Sequence, residues 1–101
     1  MKTYFGDRTI DGVIVLVDGQ PLEPHDEIRN HAGKDFEWSY EGEAPAQLAF
    51  ALLYDHLGDA GRADTLTDRF MRDVVANFQN EWEMTSADID RVISGYGAAA
   101  A

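Results

Sequence analysis

Apolar positions cluster first at 13–17, where Val13-Ile14-Val15-Leu16-Val17 runs without a polar break between Asp11-Gly12 and Asp18-Gly19. Asp-Gly supplies the positive φ angles that a tight hairpin turn needs, and a β-branched run favours a strand. The pattern therefore predicts a strand over 3–10, a second over 13–17, and a short extended piece at Gln20–Leu22 that stops at Pro24. Because the second run is apolar at every position, it is expected as a central strand covered on both faces, with later helices as the cover. Phe36-Glu37-Trp38-Ser39-Tyr40 alternates at period two, which predicts another half-buried strand carrying Phe36, Trp38 and Tyr40 on one face.

Beyond residue 43 the period changes. Ala46–Leu57 is rich in Ala and Leu, with Pro45 suited to a first helical turn and Gly58 or Gly61 to its end. A second helix is expected from about Ala63 to Asn77, where Leu66, Phe70, Val74 and Phe78 step by four. Glu81–Met84 reads as an extended link or short strand. Thr85-Ser86-Ala87-Asp88 has the spacing of a capping box, with Asp where Glu is usual, and opens a third helix bearing Ile89, Val92, Ile93 and Tyr96 on one side. The predicted fold class is α+β: a small antiparallel sheet of three to four strands against about three C-terminal helices. One domain spans 1–101, with strands and loops mainly in 1–43, helices mainly in 44–97, and a tail at 98–101 expected to fray.

Composition sharpens this picture. With 101 residues the chain has the length of one domain and one core. It lacks cysteine, which excludes a disulfide scaffold, a thiolate metal site and a cysteine nucleophile. No apolar run approaches the roughly 20 residues that span a bilayer, and the first residues have no apolar signal core, so a cytoplasmic location is expected. Nineteen Asp and Glu against eight Lys and Arg give a net charge of −11. Stable binding to bare nucleic acid or to an anionic membrane is unfavourable at that charge.

Motifs for catalysis are missing. There is no nucleophile elbow, phosphate-binding loop or dinucleotide fingerprint, and Asp7, Asp11, Asp18 and Asp26 do not follow calcium-loop spacing. His25 and His31 would be the zinc candidates, but solvated loop histidines are the plainer reading. His56, near the end of the first helix, suits the helix dipole when protonated. No cofactor and no enzymatic activity are expected.

Charge placement says more than any motif. Asp35, Glu37, Glu41 and Glu43 fall within nine residues that contain no Lys or Arg, and Glu81, Glu83, Asp88 and Asp90 repeat the pattern. Residues 1–43 carry a net −6 and residues 44–101 a net −5, so the excess is not a detachable tail. Rows of carboxylates on a rigid fold approach the spacing of phosphates on a nucleic-acid strand, and complementary potential steers such a face to a basic groove. These eight acids are the candidate partner-binding residues. The partner expected is a basic nucleic-acid-binding protein, met by a monomer. The alternative is that the charge only maintains solubility, or that an apolar patch near Trp82 and Tyr96 docks a partner chain.

The chain resembles a family of small uncharacterised domains found in phage, prophage and other prokaryotic genomes. The likeness lies in Tyr4-x-Gly6-x-Arg8, Pro21-Leu22, Phe36-Glu37-Trp38-x-Tyr40 and Gly42-x-x-Pro45-Ala46-Gln47-Leu48-Ala49. It continues through Leu57-Gly58-Asp59, Val74-Val75-Ala76 and Asp88-Ile89. It implies a shared fold and no assigned activity. In size, acidity and absent cysteine the chain is also similar to small anti-CRISPR proteins. That likeness implies an inhibitor acting in the host cytoplasm, which blocks target DNA binding by a type I surveillance complex through DNA mimicry.

Overall fold

A computed structural model describes residues 1–100, with side chains through Tyr96. The strands are β1 (Thr3–Thr9), β2 (Gly12–Val17), β3 (Gln20–Pro21) and β4 (Glu81–Thr85), in the antiparallel order β3-β2-β1-β4. The helices are α1 (Glu43–Leu57), α2 (Ala60–Asp73) and α3 (Ser86–Ala100), with a 3₁₀ turn at Val75–Asn77 between α2 and β4. The α+β class stands: a four-stranded antiparallel sheet with three helices. The expectation for Ala98–Ala101 falls outside the residues described with side chains.

Local chemistry accounts for the boundaries. Asp18 and Gly19 form the β2–β3 turn with φ of 49° and 82°, as an Asp-Gly hairpin requires. The β1–β2 turn is displaced by one residue from the predicted pair. Its two loop residues are Ile10 and Asp11, while Gly12 (φ 122°) opens β2 opposite Thr9. Thr9 holds this turn, its hydroxyl donating to the Gly12 carbonyl and accepting from the Asp11 amide. Gly58 ends α1 in the left-handed region (φ 68°), its amide donating to the Tyr54 carbonyl. Asp59 follows at once as the cap of α2, accepting from the Arg62 amide at 3.0 Å, so α2 begins three residues earlier than predicted. It ends earlier too, at the β-branched Val74-Val75 pair. There Asn77 turns back to donate to the Arg72 and Asp73 carbonyls.

The predicted capping box forms in both directions. Asp88 N–H donates to Thr85 Oγ1 at 3.1 Å, and Thr85 N–H donates to the Asp88 carboxylate at 2.9 Å. The same bond holds the Asp88 carboxyl below its ordinary pKa.

Two expectations about strands are corrected. Phe36–Tyr40 is not a strand. Ser39 takes a positive φ of 79° and donates its amide to Val75 and its hydroxyl to the Phe78 carbonyl, so the segment follows the 3₁₀ turn and not the sheet. The place beside β1 belongs to β4. Trp38 is fully buried, but Phe36 is only half-buried and Tyr40 is 50% exposed. Second, β2 is interior to the sheet yet covered on one face alone. Val15 packs into the core, whereas Ile14, on the opposite face, is 46% exposed.

The helix beneath the covered face is α1, buried continuously from Pro45 to Leu53. Burial of such Leu and Phe side chains stabilises by about 1.5–3 kcal/mol each. Within this run Gln47 is fully buried and fully satisfied. Its amide donates to the Pro24 and Arg29 carbonyls, and its oxygen accepts from the His31 and Ala32 amides. That single residue ties the irregular 24–32 segment to the core helix.

Candidate functional site: the open face of the sheet

Alternation along the strands divides the sheet into two unlike faces. Tyr4, Gly6, Val15, Trp82 and Met84 point inward and are buried. Gly6 lies opposite Trp82, and a Cβ at Gly6 would come within 2.3 Å of the indole, so only glycine lets the ring lie flat across β1. Trp82 stacks on Phe78 (4.2 Å between centroids, 11°) and meets Trp38 edge-on (5.8 Å, 85°). Arg8 lies over Trp38 at 5.0 Å, donates to its carbonyl at 3.0 Å and to Glu37 at 2.6 Å, and bonds to Asn80. The quoted motif residues Gly6, Arg8, Glu37 and Trp38 thus build one interlocked seam. Trp82 is buried, so no apolar patch forms around it, while Tyr96, 8% exposed, lines an open groove between α2 and α3.

The other face carries Phe5, Asp7, Ile14, Leu16, Glu81 and Glu83. Asp7 sits directly opposite Glu81, and Phe5 sits opposite Glu83 on one side and Leu16 on the other. Ile14 pairs with Asp7. None of Phe5, Ile14 or Leu16 belongs to the core cluster or packs against it. Two carboxylates opposite one another across strands repel, and a cation would ordinarily offset that. Here none does: among the described residues no Lys, Arg or His lies within ion-pair distance of Asp7, Glu81 or Glu83. The result is an apolar strip beside an unneutralised acidic one. The sheet's edges discourage strand addition, since β3 is two residues long and ends in Pro21, while β4 carries both glutamates.

The eight acids singled out from sequence are dispersed. Glu81 and Glu83 share the open face. Glu37 is held by Arg8 in the seam on the inner side. Asp88 caps α3 and pairs with Arg91 at 3.0 Å; Asp90 pairs with His56 of α1 at 2.6 Å. Asp35 borders a hollow with Gly12, Val13 and Tyr40, and Glu43 borders another with His31 and Asp64. Glu41 is exposed, without an ion pair among the described residues. Asp7 was missing from the set. Its signal was the register of β1 against β4, which charge counting along the chain does not contain.

The histidines are not plain solvated loop residues. His25 packs edge-on against Tyr54 at 4.6 Å. Burial pushes the His31 imidazole below its ordinary pKa, and its Nε2 is enclosed without a partner. No group of three or more potential metal ligands occurs among the described residues. No helix among them is long and apolar enough to cross a membrane.

The chain belongs to the DUF6166 family, a family of unknown function, whose model matches residues 4–95. The curated proteins and the solved structures contain nothing that matches it.

Proposed function

We propose that this domain is a non-enzymatic binding protein that docks the open face of its sheet on a cationic protein surface of the kind that handles nucleic acid. The observation behind the reading is the Asp7–Glu81–Glu83 group: three carboxylates kept adjacent on rigid strands, beside exposed Ile14 and half-buried Phe5 and Leu16, with no cation within ion-pair distance among the described residues. Lys and Arg of a partner would supply the missing counter-charge, and the apolar strip would bury area that electrostatics alone does not. Of the eight acids named from sequence, this reading retains Glu81 and Glu83 and adds Asp7. Glu37, Asp88 and Asp90 have intramolecular partners and contribute to the long-range field only.

The narrower form is inhibition of a type I surveillance complex by occupying its DNA groove. It is tested by adding the protein to a purified complex and measuring target DNA binding. Inhibition that weakens steeply between 50 and 500 mM salt, and is lost in D7K/E81K/E83K, supports mimicry. Undiminished DNA binding rejects that target. The apolar strip favours a second reading, a protein–protein module without mimicry. Association that resists salt and is lost in F5S/L16S, but not in the charge-reversed variant, would replace the first reading with this one.

A further inference from the structure

Far from the acidic strip in chemical character, the surfaces of α2 and α3 meet in an open groove of about 540 Å³. Its apolar lining comes from Leu66, Ile93 and Tyr96, and its polar lining from Arg62, Thr65 and Arg69. That volume lies in the range of small-molecule sites, which combine apolar walls with a few placed polar groups.

Three features point to the charge of the occupant. Among the described residues, Arg62 alone of the eight Lys and Arg side chains has no carboxylate within ion-pair distance. It is exposed at the groove, in a chain with more than twice as many acids as bases. Arg69 lies 4.1 Å above the Tyr96 ring and only 3.6 Å from Asp73, an arrangement that positions its guanidinium at the groove. The Tyr96 hydroxyl is buried beside the Asp73 carboxylate, in a residue 8% exposed, without a well-formed hydrogen bond. Burial, reinforced by nearby Asp73, pushes its pKa up to about 12.

We infer that the α2–α3 groove binds a small amphipathic anion, its apolar body on Leu66, Ile93 and the Tyr96 ring and its carboxylate between Arg62 and Arg69. Guanidinium–carboxylate bonds are charge-assisted and suited to paired N–H donors. This site is independent of the sheet face and stands whether or not that face binds a cationic partner.

The probe is 1-naphthaleneacetate, followed by NMR on isotope-labelled full-length protein, with 2-(1-naphthyl)ethanol as the neutral counterpart. Saturable shifts at Leu66, Ile93 and Tyr96 are expected, with affinity about ten-fold weaker for the alcohol and for R62E, as loss of one charge-assisted bond implies. Y96F, which keeps the ring, should weaken the carboxylate several-fold less than R62E does. Arg62 is exposed, so R62E should preserve the fold; an unchanged spectrum away from the groove checks this. Equal affinity for acid and alcohol, indifference to R62E, or absence of saturable shifts at millimolar probe would overturn the inference. Concentration-dependent broadening at these residues without probe would also overturn it, by making the groove an interface between copies.

Discussion

The two faces of this sheet are built from alternate residues of the same strands, yet they obey opposite rules. Inward, the large groups fit one another in shape: Gly6 makes room for Trp82, Arg8 answers Glu37, and Trp38 fills the space beside both, although the two indole N–H groups find no acceptor. Outward, Asp7 faces Glu81 with no counter-ion among the described residues, and Ile14 stands half in water. Stability alone explains the first face and disfavours the second. The binding role proposed for this face would account for adjacent like charges and an exposed Ile14 on a rigid surface.

Substitutions on the inner face should have the largest effects. Gly6→Val must displace the Trp82 ring, and overpacking of this kind costs about 1–3 kcal/mol or more. Denaturant titration should show a midpoint shift of that size. A variant as stable as the parent would mean that the indole does not lie across β1. Removal of Trp82 by Ala should cost about 3–5 kcal/mol, read the same way.

Alkaline pH should act through the two buried tyrosines. Tyr4 is held above the ordinary value by burial and then by its 2.7 Å bond to Asp55; Tyr96 is held near 12 by burial and then by Asp73. Both pKa values are raised, so the stabilising contribution is complete below the unfolded value of about 10 and declines as pH rises through the folded values. Thermal melts between pH 9 and 12 should fall in Tm, and Y96F should flatten part of that fall.

Smaller effects are expected at the capping box, where Asp88→Ala should cost about 1 kcal/mol. The smallest, and the most telling, concerns the outer face. Asp7→Asn should stabilise by about 0.2–1 kcal/mol, because it removes a like-charge cross-strand pair. A loss of stability there would mean that the carboxylate has an intramolecular task, and the contrast between the faces would fail.

Much of the fold was legible because its signals are local. Asp18-Gly19, Gly58 and the Thr85–Asp88 box each act within four residues, and each forms as its chemistry dictates. Period-two alternation in Phe36–Tyr40 says nothing about whether a ladder partner is free; β1 is paired with β2 on one side and β4 on the other. The candidate site was half legible for the same reason. Glu81 and Glu83 are two apart on one strand, whereas Asp7 joins them from 74 residues away through register. Glu37 looked like a free acid because its partner Arg8 is likewise remote in sequence.

Gln47 has a kinetic corollary. Its amide supplies both donors and both acceptor positions to residues 24–32, a stretch with no strand or helix of its own. Order in that stretch is therefore borrowed from α1, and the His31 amide should exchange its proton with solvent only when the helix itself lets go. A segment that looks like a surface loop would then report, proton by proton, on the opening of the molecule's most deeply enclosed helix.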